Sequence, residues 1–186
     1  LEYKTMNSCI CLVPSLNASH IITVENLRAL DSTLHPVQKA LVNSHGSQCG
    51  FCTPGIVMSL YGSWLKSIEP TDCNIERSLQ GNLCRCTGYG PIFQAAKSIS
   101  DHGLLSEDKL LQGQATMKNK LIDLDLRQNA IGIAEGSKFI VPKSLEDFSK
   151  LFLKYTEATL VAGATDVGLW ITKHLSAINP LIFIGN

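Results

Sequence analysis

Two short segments decide how this chain folds: His45-Gly-Ser-Gln-Cys-Gly-Phe-Cys-Thr-Pro-Gly55 and Gly81-Asn-Leu-Cys-Arg-Cys-Thr-Gly-Tyr89. Each segment carries a closely spaced pair of cysteines, Cys49 and Cys52 in the first and Cys84 and Cys86 in the second. Four thiolates from two tight loops suit either a tetrahedral zinc ion or an iron-sulfur cluster. Small residues in such loops, here Gly50, Thr53 and Gly88, let backbone N–H groups reach the sulfurs. The spacing therefore predicts a metal site and leaves zinc and iron open.

Helical patterns flank both cysteine pairs. Residues 35–44 have apolar residues at helical spacing, Pro36 in the first turn and a stop near Gly46. A second helix is expected from an N-cap at Thr53 through residue 65, and Thr71 is expected to cap a third over residues 72–80. A turn at residues 88–91 leads into a fourth helix over 92–99. The first half of the chain is thus predicted to be all-helical, with its chemistry in the loops.

The second half has a different pattern. Residues 101–137 are polar and contain four glycines, which predicts a linker. Strand patterns at 138–142, 159–162 and 181–184 alternate with two helical patterns, the first of which Ser144 is expected to cap. This β-α-β-α-β order is typical of an α/β layer fold.

Composition narrows the classes of partner. Sixteen basic and sixteen acidic residues give a net charge of zero, so no global field favours nucleic acid or an anionic membrane. The apolar runs are too short to cross a membrane, and the N-terminus has no secretory pattern. It also lacks an initiator Met, which suggests an internal piece of a longer protein. Seven clustered cysteines favour reduced thiols in the cytoplasm over disulfides in an exported domain.

Over roughly residues 6–100, the two cysteine segments closely resemble the second 2Fe-2S domain of the xanthine dehydrogenase and aldehyde oxidase family of molybdenum hydroxylases. The string His35-Pro36-Val37-Gln38 extends the resemblance. It implies an all-helical 2Fe-2S-binding domain at residues 13–100, with the cluster held by Cys49, Cys52, Cys84 and Cys86. It also implies that Gln48 and Cys86 lie near the pterin of a molybdenum cofactor carried by a partner domain or subunit.

The remaining cysteines are interpreted separately. The string Met6-Asn-Ser-Cys-Ile10 resembles the one that carries the last ligand of the family's first cluster, so residues 1–12 look like the remnant of a plant-type ferredoxin domain. Cys9 thus looks like the one remaining ligand of that first cluster. Since one thiolate cannot hold a 2Fe-2S cluster, Cys9 is expected to be a free thiol in this chain. Cys11 and Cys73 match no ligand position and are expected to be small buried residues on a strand and a helix.

A segment of the second half resembles the pyrophosphate-binding loop of the family's FAD domain: Leu160, Val161, Ala162, Gly163, Ala164, Thr165, Asp166, Val167 and Gly168. Glycine permits close backbone approach to phosphate oxygens. The alternative is an ordinary strand-to-helix turn. The family loop often has Asn where Ala164 stands, and Thr165 and Asp166 are expected to orient the loop. Residues 138–186 are thus expected to be the truncated start of an α/β FAD-binding domain of the PCMH type, with low affinity for FAD.

The resemblance implies an electron relay, in which electrons pass from molybdenum through 2Fe-2S to FAD and then to NAD. It favours xanthine dehydrogenase and purine catabolism over an aldehyde oxidase-type relative, and a single chain for both segments over the split arrangement of carbon monoxide dehydrogenases. Scattered histidines and the absence of a nucleophile set predict that the chain itself carries no catalytic residue. Two other hypotheses stay open: a zinc-stabilised module without redox activity, and a truncated product that assembles with nothing.

Overall fold

The structure, a computed structural model, describes residues 1–29, 31, 33–127, 131–134 and 137–185. The chain folds as two units. The first comprises Leu1–Thr5 and Ile22–Ala115, and the second comprises Met6–Ile21 and Thr116–Asn186. The domain boundaries expected at residues 12, 100 and 137 remain predictions.

The first unit is helical, as expected. It contains α1 (Pro36–Asn43), α2 (Thr53–Leu65), α3 (Asp72–Leu79), α4 (Gly90–Ser98) and the single turn α5 (Lys109–Gln112), with short 3-10 helices at Val24–Leu27, Ile99–Asp101 and Leu105–Glu107. Thr71 caps α3 as predicted, because its hydroxyl accepts a hydrogen bond from the N–H of Asn74. The cap of α2 was placed one residue late, since helix formation already begins at Thr53 and Cys52 is the N-cap residue. The fourth helix begins at Gly90, two residues earlier than expected, because Pro91 fits its first turn.

A histidine lies just outside each end of helix α1. The His35 ring caps its N-terminus, accepting the N–H of Val37 at Nδ1, while Gln38 accepts the backbone N–H of His35. At the C-terminus the N–H of Gly46 donates to the carbonyl of Leu41 at 2.8 Å. This is a Schellman turn with its left-handed position at His45 (φ 52°), where glycine is usual. The sequence indicated a stop at Gly46, one residue beyond the left-handed position.

The core of the helical unit comes from the inward faces of α1 to α4. Helix α1 packs against α4, and α2 packs against α3. Val37, Ile56 and Ile92 are fully buried, and burial of such side chains contributes about 1.5–3 kcal/mol each. The core holds the ends of the four helices in place, and the cysteine loops join those ends.

A polar cluster lies beside this core, centred on the buried carboxylate of Asp108. Its oxygens accept hydrogen bonds from the Tyr61 hydroxyl (3.1 Å) and from His35 Nε2 (3.1 Å). They also accept the N–H groups of Leu110 (2.9 Å) and Leu111 (3.1 Å), which caps α5. Because His35 Nδ1 accepts from the backbone, Nε2 carries the ring proton. Burial raises the pKa of Asp108, but the hydrogen bonds from His35, Leu111 and Tyr61 outweigh it and leave its pKa below the usual value.

Residues 101–137, expected to be an irregular linker, contain regular structure. Helix α5 is followed by α6 (Gln114–Arg127), and strand β1 (Ile131–Ala134) pairs with the next strand. The prediction of irregular structure was wrong because the glycines were read as breaking the whole segment. Gly113 and Gly132 instead lie on either side of residues 114–127, which contain neither glycine nor proline.

The second unit carries a small sheet. Strands β2 (Ser137–Ile140), β3 (Thr159–Val161) and β4 (Leu181–Phe183) join β1 in the order β1-β2-β4-β3. The β2–β4 and β3–β4 pairs are parallel, so helices α7 (Leu145–Lys154) and α8 (Val167–Thr172) serve as the connections that parallel strands require. Ser144 caps α7 as predicted.

The sheet has a small apolar core in which Phe139, Val161 and Ile182 are almost fully buried. The first 3-10 helix of the chain, Ser8–Ile10, belongs to the same unit and contacts α8. In the described part of the chain, no helix combines the length and apolar character needed to cross a membrane.

Candidate metal centre

Two loops of the helical unit carry the four candidate ligands. The first loop joins α1 to α2 and holds Cys49 and Cys52, and the second joins α3 to α4 and holds Cys84 and Cys86. Each loop turns at a glycine in the left-handed region, Gly50 (φ 82°) and Gly88 (φ 64°). Residues with a Cβ adopt this region only at a cost, so glycine is suited to both turns.

The structure brings the four thiols together in two pairs. Cys86 shifts the pKa of Cys49, and Cys84 shifts the pKa of Cys52, so each interacting pair takes one thiol from each loop. Cys49 and Cys86 are exposed, whereas Cys52 and Cys84 are half-buried against the helical core. Among the described residues, no three His, Cys, Asp or Glu side chains are grouped as ligands of one metal ion. The donor set consists of paired thiols.

Hydrogen bonding divides the four thiols into two kinds. The backbone N–H of Phe51 and the neighbouring thiol of Cys86 lower the pKa of Cys49, and Cys49 in turn raises the pKa of Cys86. Burial, together with the neighbouring Cys84, raises the pKa of Cys52 to about 11. The hydroxyl and backbone N–H of Thr87 lower the pKa of Cys84 to about 7. Each pair thus combines one sulfur that favours the thiolate with one that favours the thiol.

Backbone N–H groups act on the sulfurs of Cys49 and Cys84. The backbone N–H of Phe51 lowers the pKa of Cys49, and the backbone N–H groups of Thr87 and Cys86 lower the pKa of Cys84. Gly50 and Gly88 contribute the turns that aim these donors. Such N–H donors stabilise negative charge on sulfur, as metal-bound thiolates require.

A network of hydroxyl groups holds the second loop, and sequence reasoning did not identify it. The Tyr89 hydroxyl accepts the N–H of Cys84 at 2.8 Å and donates to the carbonyl of Asn82 at 3.1 Å. Thr87 Oγ1 lies 3.1 Å from Cys84 Sγ and accepts the N–H of Tyr89 at 3.2 Å. Tyr89 itself is left-handed, with φ 66°. The only sequence signal was the hydroxyl-bearing pair on either side of Gly88.

The surface beside the loops is apolar and open. Phe51 is 95% exposed and Leu83 is 85% exposed, and each lies next to a candidate ligand in the sequence. Gln48, predicted from the resemblance to approach a pterin, is exposed next to Cys49. Both side chains are thus accessible to another protein.

The segment predicted to bind pyrophosphate lies in the second unit. Leu160 and Val161 belong to β3, Val167 and Gly168 belong to α8, and the residues between them form the connecting turn. In the described part of the chain, no heavy atom other than those of Gly163 and its two neighbours lies within 4 Å of a Cβ placed on Gly163, so the space above this glycine is open. Ala164 is left-handed (φ 57°), a conformation that Asn tolerates better than Ala. An Asn, which the resemblance leads us to expect at this position, would suit this conformation.

The other cysteines lie apart from the four in sequence and in surroundings. Cys9 is exposed in the 3-10 helix of the second unit, and its role as a former ligand remains a prediction. The expectation of burial was wrong for Cys73, which is exposed on the polar face of α3. Cys11 is half-buried but follows a 3-10 helix instead of lying in a strand, with its sulfur 3.7 Å from Ser15 Oγ.

Comparison with known proteins identifies the same kind of domain that the cysteine loops indicate. Residues 23–97 match the 2Fe-2S binding domain family. Xanthine dehydrogenase of Calliphora vicina is 32% identical over 94% of this chain and 16% of its own length. Xanthine dehydrogenase/oxidase of Felis catus is 50% identical over 55% of this chain and 8% of its own. Aldehyde oxidase 4 of Mus musculus is 35% identical over 85% of this chain and 15% of its own.

These relatives are oxidoreductases, and the chain spans 16% or less of the length of each. The domain match includes both cysteine loops and all of α1 to α3. The Calliphora and mouse relatives extend the similarity into the second unit. The chain therefore belongs to the xanthine dehydrogenase and aldehyde oxidase family of molybdenum hydroxylases.

Proposed function

We propose that the chain is the electron-transfer portion of a molybdenum hydroxylase and that Cys49, Cys52, Cys84 and Cys86 hold one 2Fe-2S cluster. The observation that carries the proposal is the pairing of thiols from the two loops within residues 23–97, which match a 2Fe-2S binding domain. When bound, such a cluster supplies a one-electron carrier. The polypeptide supplies the four sulfurs, the N–H donors that stabilise their charge, and a core that holds the loops still.

The chemistry of the donor set fits a cluster better than a zinc ion. A 2Fe-2S cluster takes two cysteines on each iron, and four thiols in two pairs supply that number. A structural zinc ion takes all four ligands around one point, whereas the strongest interactions among these thiols are between two pairs. The zinc-stabilised module is therefore the second candidate.

The decisive experiment is metal analysis of the anaerobically purified chain, with an EPR spectrum after dithionite reduction. We expect about two irons and two sulfides per chain and an S = 1/2 signal. Replacing Cys49 or Cys84 by Ser should abolish that signal. Cys73→Ser is the matched control, because Cys73 is an exposed thiol outside the loops, and it should leave iron content unchanged. One zinc per chain and no signal would establish the structural module instead.

The proposed electron donor is a molybdenum-cofactor-binding domain or subunit that contacts the face around Gln48 and Cys86. Both residues are exposed, and Phe51 and Leu83 give this face the apolar character of a partner surface.

We further propose that the segment from Leu160 to Gly168 contributes to an FAD site that receives electrons from the cluster and passes them to NAD. The open space over Gly163 supports this, because a pyrophosphate needs backbone that no side chain covers. A Gly163→Val variant should keep its fold, since a Cβ meets nothing there, yet bind FAD more weakly than the parent in a fluorescence titration of the protein that carries the complete FAD-binding domain. Equal FAD affinity of the variant and the parent chain would contradict the proposal.

Of the two activities in the family, we propose xanthine dehydrogenase. Identity reaches 50% over 103 residues with the Felis catus xanthine dehydrogenase/oxidase and 47% over 120 residues with the Oryza sativa xanthine dehydrogenase. The Cavia porcellus aldehyde oxidase 1 is 40% identical over 133 residues. An aldehyde oxidase-type relative is the alternative, and turnover of xanthine against an aldehyde in the protein that also bears the molybdenum cofactor would decide between them.

A further inference from the structure

We infer that Thr87 is a positioning residue for the cluster: its hydroxyl donates a hydrogen bond to the sulfur of Cys84 and raises the cluster's reduction potential. The inference rests on the proposed function, since it assumes that Cys84 binds iron. It assigns a role in electron transfer to a side chain that is not itself a ligand.

The geometry determines which atom donates. Thr87 Oγ1 lies 3.1 Å from Cys84 Sγ, and the same oxygen accepts the backbone N–H of Tyr89 at 3.2 Å. An iron-bound thiolate carries no proton and can only accept. The proton between Thr87 Oγ1 and Cys84 Sγ is therefore the hydroxyl proton of Thr87, and it points to the sulfur.

The second loop keeps this arrangement in place. The Tyr89 hydroxyl binds the N–H of Cys84 and the carbonyl of Asn82, so both ends of the Cys84–Tyr89 turn are tied together. Thr87, Cys84 and Tyr89 are all half-buried, where a hydrogen bond is screened less than at an exposed site. The hydroxyl thus has a fixed donor position against the sulfur.

A fixed donor favours the reduced cluster. Reduction adds one electron to the iron atoms and forms or breaks no bond, so the negative charge shared by the sulfurs increases. A hydrogen bond to a charged acceptor is stronger than one to a neutral acceptor, and donors to cluster sulfurs set reduction potentials. Removing the hydroxyl should therefore make the cluster harder to reduce.

The first loop offers a matched comparison. Thr53 also directly neighbours a candidate ligand, Cys52, but its hydroxyl oxygen lies 2.7 Å from Ser47 Oγ. Its hydrogen bond is therefore to another hydroxyl and not to a sulfur. Thr53→Val removes a hydroxyl next to a ligand without removing a bond to sulfur.

The experiment is an EPR-monitored redox titration of the anaerobically purified chain and three variants. Thr87→Val should lower the equilibrium constant for reduction about tenfold, which is about 59 mV for one electron. Thr87→Ser retains the hydroxyl and should restore the potential of the parent chain. Thr53→Val should also titrate like the parent chain.

The outcomes separate the inference from the proposed function. A parent chain without a 2Fe-2S signal overturns both. The inference alone is overturned if the parent chain shows the signal and the reduction potential of Thr87→Val equals that of the parent chain or of Thr53→Val. If Thr87→Val does not retain its cluster, resonance Raman spectra of the parent chain in H₂O and D₂O replace the titration. No shift of any Fe–S(Cys) stretch on exchange would then overturn the inference.

Discussion

Replacing Asp108 by Ala should destabilise the helical unit by about 3–5 kcal/mol, because a helix cap is lost and two buried donors are left without their acceptor. Asp108 is only 6% exposed. Its loss removes the cap of α5, which costs about 1 kcal/mol. It also leaves the Tyr61 hydroxyl and the His35 Nε2–H without their acceptor, at about 1–3 kcal/mol for each buried group. Asp108→Asn keeps an oxygen acceptor of the same shape, so it should cost less, about 1–2 kcal/mol.

The assay is urea unfolding of the full chain followed by the fluorescence of Trp64. This ring packs edge-on against His35, with 5.2 Å between centroids, so it reports on the polar cluster directly. A Trp170→Phe background removes the other tryptophan, which lies in the second unit. The free energy of unfolding then follows by linear extrapolation. If the parent chain, Asp108→Asn and Asp108→Ala all unfold at the same urea concentration, the reasoning is refuted.

The same cluster predicts a pH dependence. The pKa of Asp108 is lower in the folded protein than in the unfolded chain, where it is about 3.9. The ionised Asp108 therefore stabilises the folded protein fully above the unfolded pKa, and this stabilisation is lost as the pH falls through the lower folded pKa. The difference in stability between the parent chain and Asp108→Asn should therefore be constant near pH 6 and shrink below about pH 4. A difference that grows on acidification would show that the carboxylate is not the stabilising form.

Three further substitutions and one control substitution test the loops. Tyr89→Phe removes the hydroxyl that ties the second loop and should cost about 1–2 kcal/mol; bleaching of the cluster absorbance by a chelator should be faster than in the parent chain, and an equal rate would argue against the tether. Gly88→Ala should cost about 1–2 kcal/mol because of its positive φ, whereas Gly90→Ala, with equally open space, should cost nothing in the same urea titration. His45→Gly should raise the free energy of unfolding by about 0.5–1 kcal/mol, because glycine suits the left-handed position that ends α1; a decrease would mean that the ring makes a stabilising contact.

Local signals predicted the helices and strands well. The four helices around the cysteine loops, the caps at Thr71 and Ser144, and the alternation of strands and helices after residue 137 all follow from short-range patterns. Such patterns succeed because capping and amphipathic spacing act within a few residues. They failed in residues 101–137, where the glycines indicate a linker but helix α6 forms between Gly113 and Gly132.

Long-range contacts could not be predicted in the same way. Asp108 and His35 are 73 residues apart in the sequence, and nothing near Asp108 distinguishes it from a solvated acid. The burial of Cys73 was also misjudged, because cysteine is usually buried but α3 turns Ile75 and Leu79 inward and leaves Cys73 outside. The pairing of the four thiols depends on how α1 to α4 pack, which the spacing within each loop does not specify.

The two loops contribute to the proposed cluster in different ways. In the first loop the donor to sulfur is a backbone N–H, at Phe51, and no side chain can be exchanged to alter it. In the second loop Cys84 receives a side-chain hydroxyl as well as backbone N–H groups, and Tyr89 holds the turn through a second hydroxyl. Substitution can therefore tune the potential through the second loop while the first keeps its geometry. It follows that differences in reduction potential between relatives should track the residue at the position of Thr87 more closely than the residue at the position of Thr53.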